Sequence, residues 1–291
     1  MHIDSHQHFW RYNPHRDAWI TDEMAVLKRD FLPENLIPEL HANEVRGCVA
    51  VQADQSEQET MFLLDLAERF PEINGVVGWV DLCSPDLPER LEYFSRFEKL
   101  RGFRHVVQSE QDDRFMLRED FVAGISSLQR FNFTYDILIY PKQLAAAIEL
   151  VNLFPQQRFV VDHMAKPNIR SRIISPWEEQ IREIAATENV YCKLSGLITE
   201  ADWRTWRESD VRPYLDVVFD AFGTDRLMFG SDWPVCLLAG DYARVKTLVV
   251  NYIRELPAEQ QENILGFNAV RFYGLKAPGL KVPNHEPATA R

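Results

Sequence analysis

The chain opens MHIDSHQHFW, residues 1–10. This stretch decides the fold once it is set beside two later ones, FVVDHMAKP at 159–167 and LMFGSDWP at 227–234. Each is a short apolar run that ends in side chains able to hold a proton or a metal ion. These are His6 and His8 in the first, His163 in the second and Asp232 in the third. Short runs rich in Val, Ile and aromatics read as strands buried on both faces. Where such strands close into a parallel barrel, their ends converge on one rim, and residues from both ends of the chain meet there.

Working outward, eight such runs appear: 1–4, 46–52 (RGCVAVQ), 75–80 (GVVGWV), 101–107 (RGFRHVV), 133–139 (FTYDILI), 158–162 (RFVVD), 190–194 (VYCKL) and 226–230 (RLMFG). Helical patterns lie between them. Ser56 and Glu59 predict a capping box ahead of Leu63, Leu64 and Ala67. Leu87, Leu91 and Phe94 share one helical face, as do Leu144, Ile148 and Val151. Pro71 and Pro155 stop helices shortly before the next strand. The alternation predicts an α/β fold, a (β/α)8 TIM barrel, which typically takes about 250 residues. A doubly wound open sheet usually carries a Gly-rich first turn; here that turn is SHQHFW.

Composition agrees with one large domain over residues 1–275. The chain has 291 residues, 46% of them hydrophobic, enough for a sizeable core. Residues 276–291 (KAPGLKVPNHEPATAR) read as a loose tail rich in Pro and polar groups. No apolar run approaches the length of a membrane span. The N-terminus lacks a basic, apolar signal region. Cys48, Cys83, Cys192 and Cys236 form no C-x-x-C pair and read as reduced thiols of a cytoplasmic protein. A net charge of −12 argues against nucleic acid and anionic membranes as partners. Nothing in the pattern sets an oligomeric state.

Residues two apart on a strand point to the same side, so His6 and His8 can face one point. His2 and His15 lack such placement. A single buried His is commonly a core residue bonded to a carbonyl; the apolar strand ahead of His163 favours a pocket instead. Asp162 would point away from His163 if that strand continued, which makes it structural. An Asp at position 232 also suits a helix N-cap, but the rigid Trp233-Pro234 turn suits a pocket wall better. Arg104 and His105 cannot both face inward, and Arg104 is preferred because its fork holds a carbonyl or carboxylate well.

These pieces resemble the lactonase branch of the amidohydrolase superfamily, the group of sugar-acid lactonases and 2-pyrone-4,6-dicarboxylate lactonase. The resemblance runs from His2 to about Leu275. It rests on D-S-H-Q-H-F-W at 4–10, R-G-F-R-H at 101–105, D-H-M-A-K-P at 162–167, K-L-S-G at 193–196, G-S-D-W-P at 230–234 and N-A-V-R-F-Y at 268–273. It implies a barrel of the amidohydrolase type that opens an aldonolactone, such as L-fuconolactone or L-rhamnonolactone, to its hydroxy acid. It further implies Asp232 as base for water, with His6, His8 and His163 stabilising the oxyanion. Arg104, Tyr135, Lys166, Lys193 and Trp233 become candidates for substrate binding. Tryptophans after the first and seventh strands (Trp10, Trp19, Trp203, Trp206) and Tyr12 offer platforms for sugar rings.

The same resemblance bears on metal. Binuclear members bridge two ions with a carboxylated lysine on the fourth strand, and LRGFRH at 100–105 has none; FTYDILI also lacks the fifth-strand histidine. A binuclear site is therefore not expected. One divalent, zinc-like ion on His6, His8 and Asp232 is compatible with the residues, and turnover does not necessarily require it. A mononuclear-metal decarboxylase of the same superfamily, a dicarboxylate lactonase and a non-catalytic ligand-binding barrel are the competing functions. The partner expected is a small lactone.

Overall fold

In the computed structural model, which describes residues 1–276, eight strands form one parallel sheet in the order of the sequence. They are β1 (His2–Gln7), β2 (Val45–Val51), β3 (Ile73–Gly78), β4 (Leu100–His105), β5 (Thr134–Ile137), β6 (Phe159–Val161), β7 (Val190–Leu194) and β8 (Leu227–Phe229). Every predicted run overlaps one of them. The ends of β1 and β8 close the ring: His8 N donates to Trp233 O at 2.7 Å and Asp232 N donates to His6 O at 2.8 Å. This closure sets the opening histidines and Asp232 side by side.

Helices connect successive strands. Among them are α1 (Pro33–Ala42), α2 (Glu57–Arg69), α3 (Leu87–Phe94), α4 (Glu119–Arg130), α5 (Leu144–Leu153), α6 (Trp177–Ala185), α7 (Glu208–Phe222) and α8 (Tyr242–Ile253). The predicted cap of α2 is half formed. Ser56 Oγ accepts from Glu59 N at 3.2 Å, but the Glu59 carboxylate turns to the backbone N–H groups of Ala53 and Asp54. No helix among the described residues is long and apolar enough to cross a membrane.

After the short α9 (Ala258–Glu262), α10 (Asn268–Tyr273) plugs the N-terminal end of the barrel. Its Val270, Phe272 and Tyr273 pack on Ile3, Val49, Val77, Val160 and Met228 from the strands. Each fully buried side chain of this kind stabilises by about 1.5–3 kcal/mol. The tail expected at 276–291 lies outside the described residues except for Lys276.

Candidate active site

At the C-terminal rim, β1 delivers His6 and His8 to one side, as period-two alternation requires. Both are buried. His8 Nδ1 lies 2.8 Å from Val51 O. A carbonyl only accepts, so Nδ1 carries a proton, and Nε2 faces the pocket. His6 Nε2 is 3.2 Å from that atom. Asp232 Oδ1 stands 3.4 Å from His8 Nε2 and 4.0 Å from His163 Nε2. The His6 and His163 rings meet edge to face at 4.4 Å.

His163 arrives by another route. β6 ends at Val161, and His163, Met164, Ala165 and Lys166 follow with φ of 54°, 53°, 57° and 50°. Four successive non-glycine residues thus take the left-handed conformation, which costs roughly 1–2 kcal/mol each. Asp162 keeps the strand's alternation, two residues after Val160 in the barrel interior, and so points inward rather than away; the reversal brings His163 to the same side. The reversal also puts both His163 and Lys166 on the pocket wall.

Beneath the histidines lies a fully internal charge layer. Arg104 Nη1 donates to Asp162 Oδ2 at 3.0 Å and lies 3.2 Å from His6 Nε2, while its Nη2 donates to Gln52 O. Lys193 Nζ contacts Asp136 Oδ2 at 2.5 Å, Asp162 Oδ1 at 2.9 Å and His6 Nδ1 at 3.0 Å. Tyr273 of the plug donates to Asp136 Oδ2 at 2.7 Å. Two cations thus balance two carboxylates, the condition under which buried charge is tolerated.

Burial pushes the Asp162 carboxyl up, but Lys193, His6 and Arg104 outweigh it and hold it well below the usual range. Burial raises Asp136 to about 6 against the pull of Lys193. Burial, then Lys193, drives His6 well below the usual imidazole value, and burial takes His163 down to about 4. Both rings are neutral at pH 7. Burial also works against ionised Asp232, yet His163, His8 and Lys166 prevail and keep its carboxyl below the ordinary value. Asp232 is therefore a carboxylate at neutral pH, as a base must be.

A cavity of about 310 Å³ opens above this cluster. His8, Arg104, His163, Lys166 and Asp232 line it, together with Trp10 and Trp19. A larger open groove of about 750 Å³, beside Met1, His2 and Glu72, lies at the opposite end, where barrels keep stability rather than chemistry.

Other candidates fall elsewhere. Tyr135 is not in the cavity: in register with Phe103 and Phe159, it faces outward against Phe121 of α4. The inward residue of β5 is its neighbour Asp136, in register with Arg104. Lys193 is wholly buried below His6 and does not reach the cavity wall. Trp233 packs on Phe9 and Phe31 at 6.2 and 5.2 Å. Trp203 and Trp206 tie their indole N–H groups to Thr199 O and Ala239 O, outside the cavity lining, and Tyr12 is also outside it. His105 turns away to Glu110 at 2.7 Å and stacks on Phe115.

The sequence reading missed several wall residues. Arg16, Asp54 and Gln55 line the cavity from loops, and Gln108 and Ser109 from a single 3-10 turn after β4. Their one signal is position: Asp54 and Gln55 lie just past the second apolar run, and Gln108 follows the fourth.

His6, His8 and Asp232 each offer a donor atom within 4.8 Å of one another. Two nitrogens and a carboxylate suit a zinc-like ion. The bond from His8 Nδ1 to Val51 O is the outer support that metal-binding histidines need. Arg104 competes for the His6 Nε2 lone pair, so the set fits one ion with His8 and Asp232 as its firm members.

A family model for amidohydrolases matches residues 3–275. The L-fucono-1,5-lactonase of Burkholderia multivorans is 44% identical over 289 residues, spanning 96% of this chain and 97% of that protein. The L-fucono-1,5-lactonase of Burkholderia ambifaria is 36% identical over 283 residues, 95% of this chain and 96% of its own. A crystal structure of an amidohydrolase from Burkholderia multivorans with bound zinc superposes with a TM-score of 0.92 at 44% identity, covering 95% of this chain and 100% of that one. With the barrel, the histidine cluster and the eighth-strand aspartate all in place, this chain belongs to the amidohydrolase family.

Proposed function

We propose that this chain is a hydrolase that opens the ring of a sugar-acid lactone. The observation that carries the reading is the ionised Asp232 between His8 and His163 at the rim of the cavity, together with two L-fucono-1,5-lactonases among its relatives. Asp232 takes a proton from water, which attacks the ring carbonyl. His8 Nε2, 3.4 Å from Asp232 Oδ1, faces the same water. His163 and Arg104 stabilise the oxyanion as preorganised donors, and His6 braces both from below. Return of the proton to the ring oxygen releases the hydroxy acid.

His6, His8 and Asp232 would hold one divalent ion, which when bound supplies Lewis-acid polarisation of a carbonyl. The steps above run on the chain's own groups, and we expect exhaustive chelation to leave substantial lactonase activity. Complete loss, restored by Zn²⁺ or Mn²⁺, would make the ion essential and favour the decarboxylase-like arrangement.

The cavity suits a neutral, hydroxyl-rich ring. Each cation in its wall already has a carboxylate partner: Arg16 with Asp17 at 2.7 Å, Arg104 with Asp162 at 3.0 Å and Lys166 with Glu200 at 3.8 Å. Among the described residues a dianionic lactone would find no unpaired cation in that wall, and buried unpaired charge is costly. Free thiols at Cys48, Cys83, Cys192 and Cys236 support a cytoplasmic setting.

A screen of aldonolactones by pH indicator tests the reading, because each turnover releases a proton. Wild type should open at least one six-carbon lactone at more than ten times the rate on 2-pyrone-4,6-dicarboxylate. Asp232→Asn should lose about 10²–10⁴ of that rate. Retention of a third of the rate by Asp232→Asn would remove Asp232 from its role.

A further inference from the structure

We propose that Ser195 is a positioning residue: it holds His163 in the tautomer with its proton on Nε2, so that His163 meets substrate as a hydrogen-bond donor. Ser195 follows β7 in the K-L-S-G stretch and is fully buried. Its Oγ lies 2.8 Å from His163 Nδ1. Among the described residues no other hydrogen-bond partner faces that hydroxyl.

Two arguments then place the ring proton. If Nδ1 carried it, Nδ1–H would donate to Oγ and the Ser195 O–H would be left buried with no acceptor. Such an orphan costs about 1–3 kcal/mol. If Nε2 carries it, Oγ–H donates to the Nδ1 lone pair and both groups are satisfied. The second argument is electrostatic. Nε2 looks toward Asp232 Oδ1 at 4.0 Å. A lone pair there would face a carboxylate, whereas an N–H is attracted to it. The two arguments are independent and agree.

Gly196 completes the device. Its φ is +62°, and a Cβ on it would stand 2.7 Å from His163 Nδ1, closer than real contacts allow. The bare Cα lets the imidazole close on the serine. With Nδ1 occupied and Nε2 protonated, neutral His163 has no free lone pair. It can be neither the base for water nor a ligand to an ion on His8 and Asp232. The base is then Asp232, and the two groups cannot exchange roles.

The test uses full-length protein carrying isotope-labelled histidine and long-range proton–nitrogen correlation spectra, with His163→Gln identifying the His163 signals. Wild type should show a protonated Nε2 and an unprotonated, hydrogen-bonded Nδ1. Ser195→Ala should move His163 toward a mixture of tautomers, and Ser195→Thr should restore the wild-type pattern. A proton on Nδ1 in wild type, or spectra unchanged by Ser195→Ala, overturns the proposal. The wild-type reading stands even where a variant fails to fold. The kinetic arm rests on the lactonase reading: Ser195→Ala should lower kcat by about tenfold to a hundredfold with KM changed less than threefold, and Ser195→Thr should recover it. A fall in kcat/KM that comes wholly from KM also overturns it. If wild type opens no lactone, the lactonase reading fails while the spectra still decide the tautomer.

Discussion

The two strand ends that supply the histidines bear their costs in different places. β1 presents His6 and His8 two residues apart on one side, past a register shift against β2 between Asp4 and Gln7, with no residue of the strand in the left-handed region. Its cost lies beneath it, in the buried layer of Arg104, Asp162, Lys193 and Asp136 that braces His6. The end of β6 has its cost in the backbone, through four left-handed residues from His163 to Lys166. A site can therefore be positioned by charge below a relaxed strand or by a strained turn above one. The difference tells where each half is vulnerable.

The charge-supported half should break first. Lys193→Met removes the ammonium that faces Asp136, Asp162 and His6 at once, leaving carboxylates buried with too few cations. Removal of one partner of a buried pair costs about 3–5 kcal/mol. Urea unfolding should report a loss of that size, and Lys193→Met combined with Asp136→Asn should lose less than the single variant. Equal losses would mean that Lys193 does not hold the layer together.

The second effect is the burial of His163, and pH isolates it. Its folded-state value is about 4 against 6.5 for a free imidazole. Between those values the unfolded chain binds a proton that the native site refuses. The native state is therefore penalised as pH falls from 6.5 toward 4, and the penalty is absent above 6.5. His163→Gln lacks the group, so stability relative to wild type should shift in the variant's favour on acidification, by on the order of 3 kcal/mol at pH 4. Other buried groups titrate in the same range, notably Asp4, Asp136 and Glu59. Those are common to both proteins, so the difference between the two curves is the quantity to read. A constant difference across that range would mean that His163 is solvated or charged in the native state.

How far the sequence could be read follows the same division. The strands were legible because parallel strands buried on both faces are near-continuous apolar runs. His6 and His8 were legible because period two needs no further information. The assignment of Tyr135 failed for the reason that made its strand visible: where both faces are apolar, FTYDILI does not say which residue turns inward. The closing contact of β5 with β4 decides that, and it selects Asp136. Lys193 stood out as an odd lysine inside a strand, but only the fold shows that its partners are two carboxylates below the pocket. The turn at 163–166 was illegible because His, Met, Ala and Lys carry no mark of positive φ; the marker residues would be Gly, Asn or Asp. Wall residues such as Asp54 and Gln55 come from loops, which have no period to read.

The smallest prediction tests the backbone half by its sign. Ala165 sits at φ 57° and Ala147 in the middle of α5, and both are fully buried. The same change, Ala→Gly, removes one buried methyl at each, worth about 0.8 kcal/mol. At Ala147 the helix also loses about 1 kcal/mol of propensity, for a total near 2 kcal/mol destabilising. At Ala165 glycine instead releases roughly 1–2 kcal/mol of left-handed strain, which offsets or exceeds the methyl. Ala165→Gly should therefore be neutral or stabilising by up to about 1 kcal/mol, although it too deletes a core atom. Greater freedom of the unfolded glycine chain trims that gain by about 0.4–1 kcal/mol, which brings the net change near zero and keeps the contrast with the loss at Ala147. Urea midpoints at fixed m-values measure both variants. If Ala165→Gly destabilises as much as Ala147→Gly, the turn that carries His163 is unstrained, and the contrast between the two strand ends disappears.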